Sequence, residues 1–159
     1  MRRKEREITD RSTIESIIRE SSVCRLALSE DDKPYIVPLC FGYEDNVLYF
    51  HSARKGKKLD ILKKNDKICF EFDVVHGTVE SAKACEWDMN YRSVIGFGKA
   101  SLIDDPESKQ RAMDIIFQNY SGRSAEYTDA AIKSAVIIKV EIDSMTGKKF
   151  CDIIPEVEE

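Results

Sequence analysis

Apolar side chains recur at every second position through much of this chain, the spacing of half-buried β-strands. In SSVCRLALSED, Cys24, Leu26 and Leu28 share one face while Val23, Arg25 and Ala27 share the other. DKICFEFDV sets Ile68, Phe70, Phe72 and Val74 against Glu71 and Asp73, and AVIIKVEID turns Val136, Ile138, Val140 and Ile142 to one side. NVLYFHS groups Val47, Tyr49 and His51, and the long YRSVIGFGKASLI places Gly96 and Gly98 on one face, where backbone or a ligand can approach closely. The sixth stretch, PYIVPLCFGY, is apolar on both faces, so each face is expected to be covered. Its Pro38 cannot donate a ladder hydrogen bond and marks an edge or a bulge.

Helical spacing takes over in between. Ser12–Glu20 opens on a capping-box spacing, Ser12-x-x-Glu15, with Ile14, Ile17 and Ile18 on one face. Gly56–Lys64 predicts a short helix with Leu59 and Leu62 inward. The strongest helix starts at Asp104-Asp105-Pro106 and carries a stripe of Ala112, Met113, Ile116, Phe117 and Tyr120. A short helical turn is expected over 129–133. EDDK, Glu44-Asp45-Asn46 and Thr146-Gly147-Lys148 read as turns, and HGTVESAKACEWDMN as a loop or frayed hairpin. Six mostly antiparallel strands with helices at the ends and crossovers predict a mainly β fold, a small closed or split barrel. Residues 1–150 form one domain in this reading, with an acidic tail over 151–159.

Composition narrows the function. A chain of 159 residues with 42% hydrophobic and 34% charged positions suits one well-cored domain. A net charge of −4 argues against general nucleic-acid binding. No apolar run is long enough for a membrane helix, and the charged start, RRKER, lacks a secretory core, so a cytoplasmic protein is expected. The five cysteines contain no C-x-x-C pair and fall mostly in strand patterns, so they are read as reduced, buried small hydrophobes. Two distant histidines and scattered cysteines give no metal signature.

The candidate chemistry lies between Pro34 and Asn65. Two strands joined by a tight turn lead into ARKGKKLD, a basic loop opening a helix, which suits a phosphate. It is not a Walker A loop, and no G-x-G-x-x-G is present. Cations at a helix start are slightly unfavourable, and an anion would relieve them; a solvated basic helix start is the plainer alternative. Pro38, on a small face, leaves room for a flat ligand against the backbone. His51 ends a strand beside the basic loop and is placed for hydrogen bonding or proton delivery, whereas His76, in HGT, reads as a solvated loop residue. Trp87 either covers a ligand or plugs the barrel. Arg92 and Ser93, at the start of the long glycine-bearing strand, are further candidates to reach a ligand. Arg25, on an apolar strand, calls for Glu71 or Asp73 as its partner.

The order MRRKEREI, VCRLAL, PYIVPLCFGY, LYFHSARKGKKLD, ACEW, YRSVIGFGKA and a last strand ending in TGKK resembles the pyridoxamine 5′-phosphate oxidase-like FMN-binding split barrels. Within them it is most similar to the Nim group of 5-nitroimidazole-resistance proteins. The resemblance covers roughly residues 1–150. It implies a six-stranded Greek-key split barrel and a homodimer with two FMN sites at the interface. The flavin ring would lie along Val37, Pro38, Leu39, Cys40 and Phe41. The phosphate would be held by Ser52, Arg54, Lys57 and Lys58, with His51 near the flavin in a catalytic role. The implied activity is reduction of a small flat substrate such as a nitroimidazole; a non-catalytic flavin- or haem-binding module is the alternative. The closing CDIIPEVEE lacks the arginine-rich segment of pyridoxamine-phosphate oxidases, so that oxidation is not expected.

Overall fold

The computed structural model describes residues 3–123 and 125–150. The chain forms β1 (Glu7–Ile8), α1 (Arg11–Glu20), β2 (Cys24–Glu30), β3 (Lys33–Leu39), β4 (Gly42–Glu44), β5 (Val47–Ser52) and α2 (Lys57–Leu62). It continues through β6 (Lys67–Val79), β7 (Asp88–Ile103), α3 (Pro106–Ser121), α4 (Asp129–Ser134) and β8 (Val136–Phe150). One antiparallel sheet of eight strands runs in the order β3-β2-β6-β7-β8-β5-β4, with β1 added on β8. The fold is mainly β with peripheral helices, as expected, but the count is eight strands, and the ladder stays open.

The extra strands have a physical origin. The stretch PYIVPLCFGY does not run straight. It breaks at Cys40-Phe41 into β3 and β4, which lie at opposite ends of the strand order. The covalent chain therefore spans the seam that hydrogen bonds leave open. Phe41 is fully buried at that corner, its ring 4.8 Å from that of Phe72 in an edge-on contact. Both prolines of the stretch sit in β3, an edge strand, where a missing N–H is tolerated.

Inside the curl, Leu26, Leu48, Phe50, Phe70, Phe72, Val94, Ile138 and Val140 make the core, joined by Ile14, Ile17 and Ile18 of α1. The alternation read from the sequence is met at Cys24, Leu26 and Leu28 of β2 and at Ile68, Phe70 and Phe72 of β6; in β8, Ile138, Val140 and Ile142 are buried as expected, but so is Ile137 on the opposite face, under α3, while Val136 is only half-buried. The two hairpins β2–β3 and β4–β5 turn on Asp31-Asp32 and Asp45-Asn46, all four in the left-handed region that these side chains tolerate.

Other expectations need correction. The Thr146-Gly147-Lys148 segment is not a turn: it continues β8, pairing with Val94 of β7 and Ile8 of β1 through Gly147. The stretch read as a loop or frayed hairpin is a hairpin, the paired ends of β6 and β7, with a bulge between Val75 and Gly77 and a 3₁₀ turn at Ala84–Glu86. Gly96 and Gly98 do admit close neighbours, but these are the Phe70 ring and the β8 backbone at Glu141, which fill the space. Helix α1 is capped by Asp10 rather than Ser12, whose hydroxyl instead donates to Asp10. Of the four described cysteines only Cys24 is buried; Cys40 and Cys85 are exposed. Cys151 and the acidic tail lie outside the described residues.

A smaller apolar cluster forms outside the sheet, where Ala112 and Ile116 of α3 pack on Ile137, Tyr49 and Met113. Gly42 permits this docking: a Cβ there would lie 2.7 Å from the Ile116 nitrogen. Gly42→Ala is therefore expected to lower stability by about 1–3 kcal/mol through backbone overpacking, read as a reduced urea midpoint. The Asp10 cap predicts an acid limb. Hydroxyls of Ser12 and Thr13 and the Thr13 N–H hold its carboxyl down at about 2, below its ordinary 3.8. Its stabilising effect is complete above the unfolded value and is lost as pH falls towards 2; Asp10→Ala should flatten that part of a stability–pH curve.

Candidate functional site

The seam brings together several of the candidate residues. Because β3 has only β2 as a neighbour among the described residues, one of its edges keeps backbone groups unpaired by them. Val37 and Leu39 lean on the core, while Pro38 and Cys40 point outward and are exposed. Phe41 differs: its side chain is in the core and its N–H donates to the Tyr120 hydroxyl at 3.0 Å. That hydroxyl in turn donates to the Ser22 carbonyl at 3.0 Å. Tyr120, at the end of α3, thus ties the β3–β4 corner to the start of β2.

Beside the corner lies a cavity of about 290 Å³, lined by Cys40, His51, Met113, Ile116, Phe117, Tyr120 and Tyr127. His51 is exposed at the end of β5, opposite Ile137 of β8, and α3 walls the cavity. The apolar stripe of α3 is divided: Ala112 and Ile116 are buried, whereas Phe117 and Tyr120 stay exposed and shape the cavity. The lining holds no Lys, Arg, Asp or Glu, so it suits a flat, largely apolar molecule. Deeper in, burial and then Asp114 push the Tyr127 phenol up. The sequence pattern could not separate these roles, since one helical stripe faces both the sheet and the cavity.

The basic loop runs from β5 to α2. The Lys57 ammonium lies 4.7 Å from the Tyr35 ring centroid, which brings the loop against β3. Lys58 is half-buried, makes no ion pair among the described residues, and has its ammonium pushed down by burial alone. Arg54 donates from Nε to the Ser134 carbonyl at 3.1 Å and is otherwise exposed. Ser52 Oγ donates to the Ala53 carbonyl. A half-buried ammonium without a counter-ion is a ready anion partner, so the loop's residues fit a phosphate group.

The other candidates are elsewhere in this chain. Trp87 neither plugs the barrel nor covers the seam: it is 51% exposed near the β6–β7 turn, its Nε1 donating to the Ser81 carbonyl. Arg92 pairs with Glu20 at 2.6 Å and donates to His76 Nε2 at 3.3 Å, and Ser93 sits in β7 opposite Asp73. Three strand spacings, about 14 Å, separate β7 from β3. His76 is thus a partner of Arg92 at the bulge, not a solvated loop residue. Arg25 pairs with both Glu71 and Asp73, as its position demanded. No cluster able to hold a metal ion occurs among the described residues.

With this arrangement in hand, comparison with known proteins is decisive. Residues 10–149 match the family model of pyridoxamine 5′-phosphate oxidase. The chain belongs to that family. Among solved structures it is similar to a candidate 5-nitroimidazole antibiotic resistance protein from Bacteroides thetaiotaomicron, with 36% identity, 89% of this chain and 85% of that one covered, and a TM-score of 0.80. The FAD and haem binding protein from Mycobacterium smegmatis shares the fold at 18% identity, covering 96% of this chain and 77% of that one with a TM-score of 0.83. The flavocytochrome Anf3 from Azotobacter vinelandii does so at 20% identity, covering 95% and 72%, with a TM-score of 0.82. A curated relative, the uncharacterized protein RA0666 of Rhizobium meliloti (strain 1021), is 24% identical over 91% of this chain and 95% of its own length. No helix among the described residues is long and apolar enough to cross a membrane.

Tyr120→Phe tests the corner. It removes two hydrogen bonds and leaves the Phe41 N–H without a partner, an expected loss of about 1–3 kcal/mol in chemical denaturation. Wild-type stability in the variant would show that the corner holds without the clip.

Proposed function

We propose that this protein is a cytoplasmic FMN-binding oxidoreductase that works as a homodimer with cofactor sites at the interface and reduces a small flat substrate such as a nitroimidazole. The observation that carries this reading is Lys58, a half-buried ammonium with no counter-ion among the described residues, on a segment that also holds Arg54 and Lys57 beside the open edge of β3. Family membership and the likeness to the Bacteroides protein support it.

A bound flavin would supply the redox chemistry, taking electrons from a donor and passing them to the substrate. The chain's own part is binding, orientation and protons. Ser52, Arg54, Lys57 and Lys58 hold the phosphate, where each charge-assisted hydrogen bond contributes about 1.5–3 kcal/mol. The free backbone edge of Val37–Cys40 meets the polar rim of the ring, with Pro38 as a flat contact lacking a donor. Phe41 contributes through the corner it pins rather than through contact. The cavity under α3 takes the substrate, and His51 at its mouth gives or holds the proton. Trp87, Arg92 and Ser93 enter only if the second subunit brings them over.

A second reading has one observation in its favour: His51, an imidazole at the rim of an apolar cavity, is a potential haem ligand. The visible spectrum of the purified protein separates the two. Flavin bands, bleached by NADH or NADPH and restored by a nitroimidazole, are expected; a Soret band, or flavin inert to every donor, would overturn the enzyme reading. Lys57→Ala with Lys58→Ala should weaken FMN binding about a hundredfold or more with the thermal midpoint little changed, and undiminished retention would remove both from the site.

A further inference from the structure

The thiol at the seam is used by nothing in the proposed cofactor site, where only the backbone of Cys40 takes part. Of the four described cysteines, Cys24 is buried and Cys69 half-buried, and burial pushes both thiols up. Cys40 and Cys85 are exposed, but their surroundings differ. Cys85 sits in the 3₁₀ turn between β6 and β7. Cys40 lines the cavity of about 290 Å³ beside α3, together with His51, Met113, Phe117 and Tyr120.

Within that cavity the thiol has a partner across the corner. Strands β4 and β5 pair with Gly42 opposite Tyr49. Continued two residues back along the chain, the same alignment sets Cys40 opposite His51. Between them, Phe41 and Phe50 are both fully buried in the core. Side chains alternate along each strand, so Cys40 and His51 both leave on the outer side, into one cavity. The Tyr120 hydroxyl adjoins the thiol from α3: burial first, and Cys40 to a smaller extent, push that phenol up.

A thiol is a soft nucleophile that an adjacent base activates, and an apolar wall holds a flat molecule against it. Met113 and Phe117 supply that wall, and the absence of Lys, Arg, Asp and Glu from the lining favours an uncharged electrophile. From the shared cavity and the alignment that sets Cys40 beside His51, we infer that Cys40 is a covalent modification site for flat α,β-unsaturated carbonyl compounds, with His51 as its base. The Sγ–H proton passes to His51, and the sulfur pair forms an Sγ–C bond at the β-carbon of the conjugated system. The C=C pair moves onto the α-carbon and carbonyl as an enolate, and the α-carbon then takes the proton back from His51. The elements of S–H have been added across the double bond, so the step needs no oxidant, reductant or leaving group. The adduct occupies the cavity and shuts out any other ligand. This inference goes beyond the flavin reading and does not depend on it.

Peptide mass spectrometry of the full chain as purified tests it, with benzylideneacetone as the electrophile and Cys85 as the internal reference. Flavin content of each sample is read by absorbance. Iodoacetamide, which needs no cavity, should mark both exposed cysteines at similar rates. Benzylideneacetone should modify Cys40 about tenfold or more faster than Cys85, because the cavity holds the reacting carbon in place. The saturated analogue benzylacetone, which cannot react, should protect Cys40 and leave Cys85 unprotected. His51→Ala should slow the Cys40 reaction about tenfold or more with the thermal midpoint unchanged, and added imidazole should restore part of the rate. Equal modification of the two cysteines by benzylideneacetone, or no protection by benzylacetone, overturns the inference. A His51→Ala variant that reacts as fast as wild type overturns it as well. Flavin-free protein modified selectively at Cys40 keeps this site and removes the flavin reading; flavin-bound protein whose Cys40 is no faster than Cys85 does the reverse.

Discussion

Everything near the seam depends on a two-residue corner. At Cys40-Phe41 the chain leaves one edge strand of the sheet and starts the other, so a single covalent step does what a hydrogen-bonded ladder does in a closed barrel. Burial of Phe41 against Phe72 fixes that step from inside, at an expected 1.5–3 kcal/mol for a side chain of this size. Tyr120 fixes it from outside through the Phe41 N–H and the Ser22 carbonyl. The consequence is an edge strand with open backbone groups, an adjacent cavity and a cationic loop, all within one neighbourhood. A straight strand through Pro34–Tyr43 would have none of them.

Much of this was legible from the residues. Period-two alternation located β2, β6 and β8 and chose their inward faces, because one face of each is buried and a single slip would invert it. Asp31-Asp32 and Asp45-Asn46 marked the tight turns through their tolerance of positive φ. Alternation failed where a strand is buried on neither or both faces. The end of β8 carries Thr146-Gly147-Lys148, a turn by composition, yet it is held between β7 and β1. A Cβ on Gly147 would lie 2.8 Å from the Ile8 Cβ, so glycine is there for close packing of a neighbour rather than for a bend. The β6–β7 extension was hidden for a similar reason: beyond Val74 it leaves the core, and its pairing rests on backbone bonds that no hydrophobic pattern reports.

The site was legible in outline and not in division of labour. The basic loop, the Pro38 strand and His51 do share one region of the fold, and Lys57 reaches Tyr35 across it. But Phe41, which alternation sets on the face opposite Cys40, was grouped with the ring contacts, and its side chain is fully buried in the core. The α3 stripe likewise read as one continuous apolar face, while Phe117 and Tyr120 line a cavity open to solvent. Trp87, Arg92 and Ser93 stand well away from the seam of their own chain, so any share in it must come through a second subunit.

The claim at the centre is that cations behind β5 hold a dianionic group so that a flat ring can lie along β3. Titration calorimetry of the cofactor-free protein with FMN and with riboflavin isolates that phosphate. The account predicts that FMN binds about a hundredfold or more tightly than riboflavin, with a gap that narrows as salt is raised. Equal affinities for the two, at low and high salt alike, would contradict it.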